Sequence, residues 1–173
     1  MKNIIDHGRR TIRFENYDYS KKGLYFLTFC TQERKELFGE IKNGKIFLNE
    51  SGKILLEEWK KLEDDNINLL EFCVMPNHFH GIIEIKSRVV RELPLHGEDN
   101  YERQRRKMII PKLVGKFKML TAKKINILND IRGKMWQRNY YEHIIRNNDE
   151  YLKISNYIKN NPKNWKDDRF YEE

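Results

Sequence analysis

The chain has 173 residues, enough for one domain with its own hydrophobic core and no need of disulfide bridges or a structural metal. Lysine and arginine outnumber aspartate and glutamate by 34 to 26, for a formal net charge of +8 at neutral pH. This excess of positive charge indicates a polyanionic partner, although a merely soluble basic protein is an equal alternative. We expect a single domain over residues 1–173.

The cysteines and the apolar runs indicate the compartment. Cys30 and Cys73 lie in strand-like apolar runs, which suits buried free thiols in a reducing compartment better than a disulfide bridge. The first residues lack the apolar core of a signal peptide, and no run is long enough to span a bilayer. We therefore expect a cytoplasmic protein with no membrane partner.

The first predicted elements are a central strand and a peripheral hairpin. Residues 24–31 form a short aromatic and β-favouring run that is typical of a buried strand. Two further strand-like segments, 37–42 and 45–48, flank Asn43-Gly44, a dipeptide that tolerates positive φ and therefore predicts a tight turn.

A helix and two strands follow. Ser51 is placed to cap a helix whose apolar residues recur at helical spacing over 54–62. Residues 69–74 and 79–85 then predict two strands joined at Pro76-Asn77.

Residues 86–108 differ from the rest of the chain in composition. They contain few large apolar side chains, several turn-forming residues and a run of basic side chains near the end. We expect a flexible basic loop, and a solvated linker without function is an equal alternative.

The last third of the chain predicts helix, strand and helix. Pro111 can open a helix that is apolar on one side and lysine-rich elsewhere, so its basic face could follow phosphates or simply be solvated. Residues 135–146 look extended, and Asn147 or Asn148 then caps a final helix that ends at Pro162. Together the elements predict an α+β ferredoxin-like sandwich, in which helices pack on an antiparallel central sheet and a small β-hairpin is inserted.

The most informative motif is His78-Phe79-His80 at the start of a predicted strand. Alternate side chains of a strand leave the same face, so both imidazoles can aim at one point while Phe79 turns away. Two imidazoles make half of a metal site, and a third ligand has to come from another element. Taken alone, a hydrogen-bonded histidine pair without a metal is an equal interpretation.

The final helix supplies the remaining candidates. Tyr157 and Asn161 are four residues apart and share one helical face. A metal held by His78, His80 and Asn161 would leave positions open for phosphate oxygens, and Tyr157 would then be placed as a nucleophile. Attack on a phosphodiester would give a covalent phosphotyrosine and conserve the bond energy for rejoining, which suits recombination better than digestion. Alone, Tyr157 could be a core aromatic and Asn161 a helix-ending residue.

A wider set of aromatic and basic residues is predicted to contact nucleic acid, by stacking on unpaired bases or by following the backbone. His143 could also be a further ligand or a general base. The set comprises Trp136, Arg138, Tyr140, His143, Arg103, Arg105, Arg106 and Lys116.

Three segments together resemble a known family. They are Val74-Met75-Pro76-Asn77-His78-Phe79-His80, the run from Trp136 to Arg146, and Tyr157-Ile158-Lys159-Asn160-Asn161-Pro162. In order and separation they are similar to the HUH endonucleases with one catalytic tyrosine, and within them to the REP-associated tyrosine transposases and related insertion-sequence transposases.

The resemblance implies a transposase that cleaves and rejoins single-stranded DNA beside a hairpin, through a 5′-phosphotyrosine. It assigns the nucleophile to Tyr157 and the metal ligands to His78, His80 and Asn161, and it implies Mg²⁺ or Mn²⁺ as cofactor. Since imidazole prefers softer ions, we expect Mn²⁺ to support activity better. Monomer and homodimer both occur among the relatives. The alternative function is a non-catalytic or domesticated nucleic-acid-binding module.

Overall fold

The computed structural model describes residues 22–86 and 109–171, which form a mixed α+β fold. The strands are β1 (Gly23–Cys30), β2 (Gly39–Lys42), β3 (Lys45–Leu48), β4 (Ile67–Val74), β5 (His78–Ile85) and β6 (Tyr141–Ile145). The helices are α1 (Glu50–Lys60), α2 (Ile109–Leu128) and α3 (Asn148–Asn160).

The central sheet has four antiparallel strands in the order β4-β5-β1-β6. This order places the two consecutive strands β4 and β5 on one side of β1 and the last strand at the opposite edge, as in a ferredoxin-like sandwich. β2 and β3 form a separate hairpin in which Asn43 and Gly44 have φ of 50° and 71°, so both turn residues are left-handed as predicted. The predicted fold class is confirmed.

The cap of α1 differs from the prediction. Asn49, not Ser51, begins the helix, because the Asn49 side chain accepts a 3.0 Å hydrogen bond from the backbone N–H of Gly52. Ser51 is buried, and its hydroxyl accepts a 2.9 Å hydrogen bond from Nδ2 of Asn129 at the end of α2. The hydroxyl therefore joins two helices instead of capping one.

The two faces of the sheet are covered by different helices. On one face, Phe29 and Phe79 pack with Trp59 of α1 and Phe117 of α2. On the other face, Phe26 and Ile82 pack with Ile158 of α3. Because side chains alternate along β5, His78 and His80 share the α3 face while Phe79 lies on the opposite one.

Some of the predicted features lie outside the residues that the structure describes. The basic loop predicted at 86–108 lies outside the described residues apart from Lys86, and so do Arg103, Arg105 and Arg106. Among the helices that are described, none combines the length and the apolar character needed to cross a membrane.

Candidate active site

The histidine pair lies where β5 begins, directly after the turn at Pro76-Asn77. His78 and His80 are buried, and their ring centroids are 4.6 Å apart. The backbone N–H of Met75 closes the turn by donating a 2.8 Å hydrogen bond to the carbonyl of His78. The pair is therefore fixed by a hydrogen-bonded turn at one end and by the central sheet at the other.

The orientation of the His78 ring is set by its neighbour Asn77. Nδ2 of Asn77 donates a 2.7 Å hydrogen bond to the carbonyl of Phe170, so Oδ1 is left to accept from Nδ1 of His78 at 2.8 Å. The ring proton is then on Nδ1, and Nε2 carries a lone pair. This Nε2 atom is buried without a hydrogen-bond partner in the described part of the chain.

His80 is held in a similar way. The hydroxyl of Thr28, on the neighbouring strand β1, lies 2.8 Å from Nδ1 of His80. Burial lowers the pKa of His78 to about 4 and the pKa of His80 well below its usual value. Both imidazoles are thus neutral at pH 7, which is the form that ligates metals.

Tyr157 extends from α3 to the histidine pair. Its hydroxyl lies 3.2 Å from Nε2 of His80, and the residue is 43% exposed. Burial of the hydroxyl, together with the nearby carboxylate of Asp168, raises the pKa of Tyr157 to about 12. The phenol is therefore protonated at neutral pH, accessible from solvent on one side and in contact with a neutral imidazole on the other.

Asn161, one helical turn beyond Tyr157, is buried just after the end of α3. Its Nδ2 donates a 2.7 Å hydrogen bond to Oδ2 of Asp168, whereas its Oδ1 is buried without a hydrogen-bond partner in the described part of the chain. The predicted amide thus reaches the same region as the histidines, with its acceptor oxygen unused.

Asp168 is a member of the site that the sequence did not suggest. Its carboxylate and the ring nitrogens of His78 and His80 supply one potential ligand atom each, all within 4.8 Å of one another. The carboxylate also accepts a 2.8 Å hydrogen bond from the backbone N–H of Phe170, whose ring packs on His78 at a centroid distance of 4.6 Å. Asp168 comes directly after a short 3-10 helix, Trp165–Asp167, that follows α3. No periodicity in the sequence predicts where the Asp168 side chain points.

These residues fit a divalent cation. An unsatisfied buried acceptor costs roughly 1–3 kcal/mol, and two such atoms, Nε2 of His78 and Oδ1 of Asn161, lie in one site. A bound cation would satisfy both. Two imidazole nitrogens with an amide and a carboxylate oxygen form a donor set of intermediate softness, which suits a first-row divalent ion such as Mn²⁺.

One carboxylate on the edge strand β4 fastens α3 in place. Glu71 accepts a 2.8 Å hydrogen bond from the hydroxyl of Tyr151 and forms a 3.0 Å ion pair with Lys159; Ser155 also donates to it. The three partners are spaced four residues apart and form one stripe along the helix. The adjacent side of the helix carries Tyr157, which contacts His80 of β5 and Phe26 of β1.

Comparisons with known proteins agree with the family suggested by the sequence. No model of a protein family matches the chain. An uncharacterized protein of Haemophilus influenzae is 39% identical to it and aligns over 95% of this chain and 94% of its own length. A second protein of that organism, named "Putative REP-associated tyrosine transposase", is 25% identical over 84% of this chain and 73% of its own length. The chain is similar to the REP-associated tyrosine transposases.

The fold of the REP-associated tyrosine transposases is also present. The solved structure of a REP-associated tyrosine transposase bound to a REP hairpin has a TM-score of 0.51 to this chain at 22% sequence identity. The match covers 90% of this chain and 74% of the transposase chain. This comparison confirms the fold.

Two aromatics that were predicted to stack on DNA bases pack in or against the hydrophobic core. Trp136 is 6% exposed, and its indole N–H donates a 2.9 Å hydrogen bond to the hydroxyl of Thr121. Tyr140 packs against Phe29 at a centroid distance of 5.9 Å. Burial accounts for the Trp136 ring, whereas Tyr140 is only partly buried and its stacking on DNA stays a prediction. Arg138 and Lys116 are exposed, and their contact with DNA stays a prediction.

His143 is engaged away from the histidine pair. Its Nε2 lies 2.7 Å from Oε1 of Glu150 in the first turn of α3. The structure therefore brings together His78, His80, Tyr157 and Asn161, whereas His143 contributes to the attachment of α3 to β6.

Proposed function

We propose that the chain is a DNA strand transferase in which Tyr157 attacks a phosphodiester bond of single-stranded DNA. The observation that carries this proposal is the 3.2 Å approach of the Tyr157 hydroxyl to Nε2 of His80, beside two buried acceptor atoms that lack a partner. A solvent-exposed phenol next to a preorganised group of neutral ligand atoms is the arrangement that covalent phosphoryl transfer requires.

The proposed reaction exchanges one ester for another. A bond forms between the Tyr157 oxygen and phosphorus, and the bond from phosphorus to the 3′ oxygen breaks, which leaves a 5′-phosphotyrosine and a 3′-hydroxyl. The phenolic proton is lost to solvent, and the departing 3′ oxygen takes up a proton. Because the numbers of ester bonds and protons are conserved, a 3′-hydroxyl from another strand can reverse the reaction and complete a transfer.

We propose that His78, His80, Asn161 and Asp168 hold a Mg²⁺ or Mn²⁺ ion. When bound, such an ion supplies positive charge that polarises phosphate oxygens and lowers the cost of ionising a phenol whose pKa is about 12. Asn77 and Thr28 contribute by fixing the rings, since each binds the Nδ1 atom of one histidine. The carboxylate of Asp168 fixes the Asn161 amide.

The partner we propose is single-stranded DNA that carries a hairpin next to the cleaved bond. A related transposase is bound to a REP hairpin, and a net charge of +8 favours association with a polyanion. The Tyr157 hydroxyl reaches the histidines of its own chain, which supports a site that is complete in a monomer.

The experiment is covalent trapping on a denaturing protein gel. The protein is incubated with Mn²⁺ and labelled oligonucleotides that contain a hairpin with single-stranded flanks, chosen from the inverted repeats around the gene. We expect a labelled protein adduct with the wild type and with Tyr171→Phe, a control that removes a phenolic hydroxyl from a neighbouring turn, and no adduct with Tyr157→Phe.

Two results would contradict the proposal. An adduct that persists in Tyr157→Phe would assign the nucleophile to another residue. Hairpin binding that is unchanged by a chelator and never leads to cleavage would favour the non-catalytic nucleic-acid-binding module.

A further inference from the structure

The α3 face of the sheet contains an exposed aromatic residue that the proposed reaction does not use. Tyr141, the first residue of β6, pairs with Thr28 of β1, and Thr28 pairs with His80 of β5. Residues paired in this way lie in one row and point to one face. The Cα of Tyr141 is therefore two interstrand spacings, about 10 Å, from the Cα of His80.

The aromatic rings are continuous between Tyr157 and Tyr141. Phe26 lies between them and contacts Tyr157 edge-on at a centroid distance of 6.3 Å and Tyr141 at 6.0 Å. The ring of His143 lies parallel to that of Tyr141, at 9° between planes. Phe26 is buried, whereas Tyr141 is 40% exposed and Tyr157 is 43% exposed. A buried ring thus supports an exposed one on each side.

The position of α3 leaves this half of the face accessible. Glu71 holds the helix toward β4, the edge strand on the far side of the histidines. On the other side of α3, Tyr157 of the helix and Tyr141 of β6 are both partly exposed, with the buried Phe26 of β1 between them.

We infer that Tyr141 forms a stacking site for the base of an unpaired nucleotide flanking the phosphate attacked by Tyr157. The inference rests on the proposed function. Aromatic side chains bind single strands by stacking on bases, while basic residues follow the backbone. Exposed Arg138 precedes Tyr141 in the chain, and exposed Lys153 lies on α3, one helical turn before Tyr157. An aromatic floor with positive charge nearby suits a nucleotide better than an apolar peptide.

The test measures binding without cleavage, in the Tyr157→Phe background. Fluorescence anisotropy gives the Kd for two DNAs: a hairpin with a single-stranded flank, and the same hairpin with blunt ends. We expect Tyr141→Ala to weaken binding of the flanked hairpin about tenfold and to leave binding of the blunt hairpin unchanged. Tyr141→Phe, which keeps the ring, should bind as tightly as the parent.

A matched control and a direct readout accompany the Kd values. Phe47→Ala removes an aromatic ring that is 54% exposed on the separate hairpin, and we expect it to change neither Kd. 2-Aminopurine in the flank reports stacking directly: its fluorescence should be quenched by the parent and by Tyr141→Phe, and to a much smaller extent by Tyr141→Ala. Circular dichroism verifies that each variant is folded.

Three outcomes would overturn the stacking site: an equal loss of affinity for both DNAs, unchanged affinity for the flanked hairpin in Tyr141→Ala, or a flank that adds nothing to binding by the parent. If Tyr141→Ala does not fold, the quenching comparison between the parent and Tyr141→Leu decides. Failure of the proposed function is recognised separately, because it appears as absence of the covalent adduct in the wild type.

Discussion

Asn161 donates a hydrogen bond of 2.7 Å from Nδ2 to Oδ2 of Asp168, and this bond determines which way the buried amide faces. With Nδ2 engaged, Oδ1 is directed to the histidine side, where it has no hydrogen-bond partner among the described residues. Asp168, which lies outside the helix, thus orients the Asn161 amide so that its Oδ1 atom is available as an acceptor in the site.

The first prediction concerns Asp168. Asp168→Ala should weaken Mn²⁺ binding by more than tenfold, because it removes a candidate ligand and frees the Asn161 amide to rotate. Asp168→Asn, which keeps an acceptor oxygen but loses the charge, should have a smaller effect. Isothermal titration calorimetry measures the affinity, and Asp167→Ala is the control at the neighbouring exposed acid. Wild-type affinity in Asp168→Ala would exclude this residue from the site.

A second prediction concerns the support of His80. Thr28→Val preserves the volume of a buried side chain but removes the hydroxyl that lies 2.8 Å from Nδ1 of His80. Loss of a partner of this kind typically lowers metal affinity about 10- to 100-fold. Calorimetry with Mn²⁺ should record this loss, and circular dichroism should show an intact fold. If Mn²⁺ binds Thr28→Val as tightly as the wild type, the hydroxyl does not orient the ring.

Glu71, which attaches α3 to β4, gives a prediction about how stability depends on pH. Burial works against the ionised form of Glu71, but hydrogen bonds from Lys159, Tyr151 and Ser155 outweigh it and lower the pKa of the carboxyl from 4.5 to about 2. A pKa depressed by folding contributes stability that is present above about pH 4.5 and is lost as the pH falls toward 2. Glu71→Gln should therefore have a lower Tm than the wild type at pH 7, and the difference should shrink between pH 4.5 and 2.

The same variant tests the placement of Tyr157. With α3 less firmly attached, we expect slower formation of the covalent adduct in Glu71→Gln at saturating DNA, while the Kd for the hairpin stays unchanged. A Tm difference that is constant from pH 7 to pH 2 would show that the Glu71 carboxylate does not fasten the helix.

Gly81 provides a prediction about packing. A Cβ at this position would lie 2.5 Å from Cζ2 of Trp59 and 2.9 Å from Cε1 of Phe79, both in buried rings. Gly81→Ala should therefore destabilise the protein by about 1–3 kcal/mol. The control is Gly115→Ala on α2, where a Cβ has nothing within 4 Å and should add about 0.5–1 kcal/mol of helix stability. Urea unfolding measures both values, and equal stabilities would contradict the packing argument.

The parts of the site that the sequence predicts are those that depend on local periodicity. A strand repeats every two residues, so His78 and His80 share a face, and a helix places Tyr157 and Asn161 on one side, four residues apart. The turn at Asn43-Gly44 was predictable for a similar reason, since the dipeptide itself favours the backbone conformation.

Contacts between segments that are distant in the sequence could not be predicted from local periodicity. Asp168, Glu71 and Tyr141 acquire their roles from the packing of α3 and the turn after it, and no spacing in the chain fixes that packing. The stacking role expected of Trp136 was not supported, because an aromatic residue in an extended segment can face the core or solvent equally well. The structure assigns it to the core.

The alternation of side chains along β5 separates the larger apolar cluster from the candidate site, so a mutation in the site need not disturb the fold. The larger apolar cluster lies under α1 and α2, while the candidate site lies under α3 with Tyr157 partly open to solvent. Under the proposed function, loss of this single phenolic oxygen would abolish strand exchange and leave a folded molecule that still binds its target. If the proposal holds, a copy of the gene that has lost Tyr157 would therefore encode a protein that binds the same DNA without cutting it.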